Sequence, residues 1–273
     1  MHLVHANGAA IPAIGLGTWR LWGEECARVV EAGLRAGYRH VDTAQMYDNE
    51  REVGAGIAAA GVPRDDLFIT TKIWPSAAAP GHLERAAEER LELLGLGYVD
   101  LLLIHWPPDA VPIAEVVKGL ARVKRDGLAR HIGISNCTVA LIEDAVAACP
   151  EPLVTNQVEY HPFLSQAPVL GTARRHGLSL TAYCPLARGR VAEAAPMREI
   201  AAKHGRTTAQ IALRWLVQQD GVIAIPKTAT IARLVENLQI FDFELTPEEM
   251  RTIHGLAEPE GRMVETQFSP DWD

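Results

Sequence analysis

No apolar run in this 273-residue chain is long enough to cross a bilayer, and Met1-His2-Leu3-Val4-His5-Ala6-Asn7-Gly8 lacks the basic region and apolar core of a signal peptide. Cysteine is scarce: Cys26, Cys137, Cys149 and Cys184 have no metal-type spacing, so reduced thiols, no bound metal and a cytoplasmic location are the expectation. Nothing Ser/Gly-rich, charge-blocked or of low complexity divides the chain, and Ala77-Ala78-Ala79-Pro80 reads as a loop entering a helix. Residues 1–273 are therefore read as a single domain. Net charge is −8 with Lys and Arg scattered, which argues against a nucleic-acid partner. An anionic ligand would need a local cationic pocket.

Several enzyme signatures are also missing. Gly15-Leu16-Gly17 begins a dinucleotide-binding glycine pattern, but Arg20 stands where the third glycine belongs, and Asp100 likewise interrupts the pattern begun at Gly95. A metal-dependent barrel hydrolase would usually carry a His-x-His pair at a strand end, and none exists. Gly133-Ile134-Ser135-Asn136-Cys137 lacks the final glycine of a nucleophile elbow.

What the chain does have is a regular alternation of β-rich runs with amphipathic stretches. Hydrophobic residues make up 48% and charged residues 22%, the balance of a soluble globular protein with a large core. Strands are predicted over residues 14–17, 40–42, 68–72, 99–105, 131–135, 154–159, 179–184 and 222–225. Helical patterns lie between them, including 26–36, 83–94, 113–125, 139–148 and 208–218. Near-continuous apolar strands such as 99–104 suit a parallel sheet buried on both faces. The alternation predicts an α/β fold of the (β/α)8 TIM-barrel type. Asn7-Gly8 predicts a type I′ hairpin ahead of the barrel. Thr246-Pro247-Glu248-Glu249 predicts an extra helix beyond the eighth strand, capped by Thr246. The tail from Ala257 to Asp273 is expected to cross a barrel face as a loop.

Chemistry in such barrels gathers at the C-terminal ends of the strands, and Asp42, Tyr47, Lys72 and His105 fall there or just past it. A tyrosine titrates near ~10 in model peptides, and an adjacent ammonium favours the phenolate and lowers that value. A carboxylate beside the lysine keeps the ammonium charged and in place. The expected relay makes Tyr47 a general acid tuned downward by Lys72 and Asp42. Neutral His105 would orient a carbonyl and stabilise its developing charge. Protonating an oxygen that gains electrons requires a hydride donor, which implies a nicotinamide cofactor. Singly, each residue has a plainer reading: a turn cap, a half-buried aromatic, a solvated charge, a core histidine. Only their joint occurrence favours an enzyme.

The segment Gly37-Tyr38-Arg39-His40-Val41-Asp42-Thr43-Ala44-Gln45-Met46-Tyr47-Asp48-Asn49-Glu50-Arg51-Glu52-Val53-Gly54 resembles the first signature of the aldo-keto reductase superfamily. Similar landmarks follow in order along essentially the whole chain. They include Gly15-Leu16-Gly17-Thr18-Trp19, Thr71-Lys72-Ile73-Trp74, Ile104-His105-Trp106-Pro107 and Ile132-Gly133-Ile134-Ser135-Asn136. Asn156-Gln157-Val158-Glu159-Tyr160-His161-Pro162, Tyr183-Cys184-Pro185-Leu186 and Ile225-Pro226-Lys227-Thr228 through Glu236-Asn237 complete the set.

The resemblance implies NADPH-dependent reduction of an aldehyde or ketone, with Asp42, Tyr47, Lys72 and His105 as a catalytic tetrad. It places Tyr183 against the nicotinamide, and Ser135, Asn136 and Gln157 on its carboxamide. Thr18, Trp19, Asp42, Pro185 and Leu186 would also border the cofactor. Lys227 would meet the 2′-phosphate with Thr228 beside it, Arg233 would stack on the adenine, and Glu236 and Asn237 would reach the adenine amine. Trp19, Tyr47, Trp74, His105 and Trp106 would wall the substrate pocket. Short loops after the fourth and seventh strands, compared with steroid-reducing relatives, imply a small substrate and an open site. The branch most resembled is that of the short bacterial 2,5-diketo-D-gluconate reductases, which also act on methylglyoxal. Arg20, Arg188, Arg190 and Arg262 are candidates to offset an acidic ligand. The resemblance also leaves open an NADPH-binding regulatory subunit with slow turnover, as some barrels of this superfamily serve ion channels. A monomer is expected, with a small carbonyl compound as its partner and no membrane.

Overall fold

A computed structural model describes residues 2–79 and 81–273; Met1 and Pro80, the latter ending the Ala-rich patch, lie outside the described residues. The chain opens with a hairpin of β1 (Leu3–Ala6) and β2 (Ala9–Pro12). Its turn residues Asn7 and Gly8 have φ of 42° and 89°, the left-handed pair that a type I′ turn needs. The Asn7 amide then donates to Leu153 O and His176 O at 2.7 and 3.0 Å, fastening the hairpin to the barrel.

Eight parallel strands follow in sequence order around the sheet. They are β3 (Leu16–Gly17), β4 (His40–Asp42), β5 (Phe68–Ile73), β6 (Val99–Ile104), β7 (Ala129–Ser135), β8 (Leu153–Glu159), β9 (Ser179–Tyr183) and β10 (Val222–Ala224). A parallel bridge between Ile14 and Ala224 closes the sheet into a (β/α)8 barrel, with Gly15 N donating to Ala224 O at 2.9 Å. The first barrel strand is shorter than the predicted 14–17, because closure draws residues 13–15 onto β10 as an isolated bridge. Gly17 is required at this seam: a Cβ there would lie 2.8 Å from Ile225 O.

Helices cover the outside: α1 (Gly23–Ala36), α2 (Glu50–Ala60), α3 (Leu83–Leu94), α4 (Ile113–Arg125), α5 (Val139–Ala148), α6 (Ala167–Arg175), α7 (Ala195–His204), α8 (Thr208–Val217), α9 (Ile231–Leu238) and α10 (Pro247–His254). Strands β6 and β8 are buried at every residue, as expected of strands packed on both faces. The extra helix α10 starts as predicted, with Thr246 and Glu249 forming a capping box. Residues past α10 form no helix or strand; they run as a tail over the C-terminal ends of the strands, where Met263 N and Val264 N meet Glu159 at the end of β8. Among the described residues no helix is long and apolar enough to cross a membrane.

Helices α1 and α2 pack extensively along one another. There Gly56 lets the backbones approach so closely that a Cβ would sit 2.5 Å from Ala27 O and 2.8 Å from Val30 Cβ. Glycine to alanine inside a helix normally stabilises by about 1 kcal/mol. Here the forced separation of two packed helices outweighs that gain. Gly56→Ala is predicted to destabilise the barrel by about 1–3 kcal/mol, read as a lower urea midpoint at constant slope; an unchanged or higher midpoint would contradict the packing.

Candidate active site

The barrel brings the predicted tetrad to one rim. Asp42 ends β4, Lys72 is the penultimate residue of β5, His105 follows β6, and Tyr47 closes a short 3-10 turn between β4 and α2. Adjacent β4 and β5 pair Asp42 with Thr70, so Lys72 lies two residues further along the same face of β5. Lys72 Nζ donates to Asp42 Oδ1 at 2.5 Å, to Thr43 O at 2.8 Å and to the Tyr47 hydroxyl at 3.4 Å. The other Asp42 oxygen accepts from Gln157 Nε2 at 2.8 Å, from β8 across the barrel. The His105 ring packs edge-on to Tyr47 with centroids 5.6 Å apart. Lys72 and Asp42 are fully buried.

Burial sets the electrostatics. It pushes the Lys72 ammonium below its ordinary range, while Asp42 pulls it back up. It holds His105 well below the usual histidine range, with the Lys72 charge adding to the effect, so the imidazole is neutral. The Tyr47 phenol corrects an expectation: instead of being tuned downward, it is pushed well above the ordinary tyrosine range, by burial first and by Asp42 second. Asp42 and Lys72 together are a nearly neutral pair, so the ammonium does not overcome desolvation of the phenolate. Tyr47 therefore stands as a protonated O–H donor, with its neighbour poised to favour the anion left behind.

The residues expected at a nicotinamide converge beside this cluster. Ser135 and Gln157 are directly paired across β7 and β8, and Ser135 Oγ donates to Gln157 O at 2.7 Å. Asn136, in a left-handed conformation at φ 58°, donates to His105 O at 2.9 Å and accepts from the half-buried Tyr183 hydroxyl at 2.8 Å. Thr18 is buried, its hydroxyl donating to Asp42 O at 3.0 Å. Pro185 is buried and Leu186 half-buried in the turn after β9. Beyond β10, Lys227 and Arg233 are exposed cations, while Thr228 is buried with its hydroxyl accepting from Thr230 N at 3.0 Å. Glu236 accepts from the Thr207 hydroxyl at 2.7 Å and Asn237 is buried. Buried amides and a tyrosine ring after β7 to β9, with two exposed cations beyond β10, fit a flat carboxamide-bearing ring joined to phosphates.

Aromatic rings wall the opening. Trp19 is exposed and packs 4.9 Å from the Tyr47 ring, and Trp74 stands perpendicular to His105 at 5.2 Å. Trp106 is buried beneath the tail, edge-on to Trp272 at 6.2 Å. The tail also sets Phe268 against Trp74 at 5.3 Å, and Gln45 Oε1 accepts from Trp74 N at 2.8 Å. The sequence assigned a site role to neither Phe268 nor Gln45: a tail without periodicity gives no sign of which ring turns inward. Of the arginines considered, Arg262 lies over Trp272 at 3.5 Å, Arg190 pairs with Glu258 at 2.9 Å, Arg188 donates to Met263 O at 3.1 Å, and Arg20 lies 5.7 Å from the Trp19 ring. The tail's own side chains and carbonyls thus engage Arg188, Arg190 and Arg262.

A phenol, an imidazole and a buried ion pair at the mouth of a (β/α)8 barrel define a barrel oxidoreductase that reduces carbonyl groups. The profile of the aldo/keto reductase family matches residues 13–258, and the chain belongs to that family. It is 41% identical over 268 residues to the methylglyoxal reductase DkgB of Escherichia coli O157:H7, covering 97% of this chain and 100% of the relative. A crystal structure provisionally described as a 2,5-diketo-D-gluconic acid reductase B superposes with a TM-score of 0.98 at 50% identity, over 100% of this chain and 98% of the other. An aldo-keto reductase of Bombyx mori, in complex with NADP, superposes at 0.92 with 33% identity, over 99% and 97% of the two chains. Carbonyl reduction with a nicotinamide cofactor follows from that membership.

Removing the carboxylate isolates the Lys72 charge. Asp42→Asn is predicted to cost about 3 kcal/mol of stability, because a buried ammonium loses its counter-charge. Without Asp42 the folded state holds Lys72 further below its unfolded value near ~10.4, so the unfolded chain binds more protons in between. Stability then rises with pH across that window. Urea unfolding should show a larger deficit at about pH 6 than at about pH 9; a deficit independent of pH would contradict the buried-charge account.

Proposed function

We propose that the enzyme reduces a small aldehyde or ketone with NADPH as its preferred hydride donor, and that dicarbonyls of the methylglyoxal and 2,5-diketo-D-gluconate kind are its substrates. The observation that carries the reading is the Tyr47 hydroxyl 3.4 Å from Lys72 Nζ, with the His105 ring edge-on to the phenol. The exposed Lys227 and Arg233 support a phosphate-bearing adenosine, and the names of the relatives support the substrate class.

In this reading Ser135, Asn136 and Gln157 hold the carboxamide of the cofactor and Tyr183 its ring face, while Lys227, Thr228, Arg233, Glu236 and Asn237 hold the adenosine end. Bound NADPH supplies the hydride that reduces the carbonyl carbon. Tyr47 gives its phenolic proton to the carbonyl oxygen, forming the O–H bond of the alcohol. Lys72 stabilises the phenolate as the proton leaves, when its charge matters most. Asp42 and Thr43 O hold that ammonium, and Gln157 fixes the other oxygen of Asp42. His105, neutral, donates an N–H that orients the carbonyl. Trp19, Trp74 and Trp106 exclude water from the transfer.

Steady-state oxidation of NADPH and NADH with each dicarbonyl tests the reading. Tyr47→Phe is predicted to lose nearly all turnover while still binding NADPH, since the ring remains and only the donor is gone; substantial residual turnover would move the proton to His105. Lys227→Gly is predicted to raise the KM for NADPH about tenfold and leave that for NADH nearly unchanged, as loss of a charge-assisted phosphate contact requires. Equal losses would remove the phosphate role. Tight NADPH binding without turnover on either dicarbonyl would favour a cofactor-binding regulatory subunit.

A further inference from the structure

Asn49 precedes α2 and is buried to 1% exposure. An asparagine there ordinarily accepts a backbone N–H of its own helix. Asn49 makes no such cap. Its side chain turns away from the helix and spans two loops of the active-site rim. Nδ2 donates to Thr18 O and to Leu21 O, both at 2.9 Å, and Oδ1 accepts from the Thr43 hydroxyl at 2.7 Å. Both amide protons and the carbonyl oxygen are thereby used, a set of partners that leucine or aspartate cannot supply.

Each loop so held carries part of the proposed proton-transfer apparatus. The Thr18–Leu21 turn presents Trp19, whose ring lies 4.9 Å from that of Tyr47. Thr43 presents the carbonyl that accepts from Lys72 Nζ at 2.8 Å, while its own N–H is fixed to Thr70 O at 2.9 Å. Lys72 reaches the Tyr47 hydroxyl at 3.4 Å, which closes a circuit from Asn49 through Thr43, Lys72, Tyr47 and Trp19 back to Asn49. We propose that Asn49 is a positioning residue for the reaction: through Thr43 it sets the ammonium against the phenol, and through the Thr18–Leu21 turn it sets the indole that backs Tyr47. This rests on the reading of Tyr47 and Lys72 given above.

The two arms predict different kinetics. Thr43→Val cuts only the arm toward Lys72, so kcat should fall and the KM for methylglyoxal should stay as in the wild type. Asn49→Ala cuts both arms: kcat should fall about tenfold or more, as expected of a small misplacement of reacting groups, and the carbonyl KM should rise. The double variant should have a kcat no lower than that of Asn49→Ala, because Thr43 has already lost its partner. Folded fractions are read by circular dichroism on the same samples. The proposal is overturned by wild-type kcat and KM in Asn49→Ala, by a kcat loss that its unfolded fraction accounts for, or by losses that multiply in the double variant. Should Asn49→Ala fail to fold, Thr43→Val decides alone, and a wild-type kcat there overturns it. Tyr47→Phe run in parallel separates the two levels: an active Tyr47→Phe refutes the parent reading, whereas an inactive one beside a wild-type Asn49→Ala refutes only the role of Asn49.

Discussion

A lysine ammonium with no solvent exposure sits inside this barrel, and the rest of the active site is arranged around that fact. Withdrawing an ammonium from water costs several kcal/mol even after relaxation, so the charge survives only with excellent local compensation. Asp42 provides the opposite charge, Thr43 O a second acceptor and the Tyr47 oxygen a third. Glu50, buried behind Thr71 and paired with Arg90 at 3.0 Å, adds further negative charge toward Lys72 from the helix side. The pair is costly as a contributor to stability. Its value is that charge and geometry are fixed before any ligand arrives.

The same burial supports the proposed roles. Desolvation favours a neutral His105 and a protonated Tyr47, in keeping with an imidazole that donates a hydrogen bond and a phenol that acts as the acid. In the proposed mechanism Lys72 acts chiefly on the phenolate that forms during transfer. The tail extends the argument to the substrate: Glu159, fully buried at the end of β8, accepts from Met263 N, Val264 N and His161, and so fixes the segment that places Phe268 against Trp74 and Trp272 against Trp106.

Much of this was legible in the sequence. Apolar strands at regular spacing gave the barrel, Asn7-Gly8 the hairpin, and Thr246 with Glu249 the start of the last helix, because each depends on local chemistry. Asp42, Lys72 and His105 were legible since strand ends are fixed by periodicity, and Tyr47 by its place in the family signature. Less accessible was whatever depends on distance across the barrel. The short β3 follows from how the seam closes at Gly17. The raised proton affinity of Tyr47 follows from desolvation at the packed rim and from the nearby Asp42 charge, which no linear pattern reports. Phe268 lies in a tail whose path is set by Glu159, more than a hundred residues earlier. Asn49 received no role from the sequence, and only the fold reveals that its amide faces Thr18, Leu21 and Thr43.

The central claim is that a neutral phenol, held by a buried ion pair, delivers the proton, and that the adjacent imidazole does not. The pH dependence of kcat/KM for NADPH-driven reduction of methylglyoxal distinguishes the two most directly. With Tyr47 as donor and His105 neutral throughout, the rate should be flat from about pH 5.5 to about pH 8. A rate that falls as pH rises through about 6.5 would identify a protonated imidazole as the acid and contradict the account.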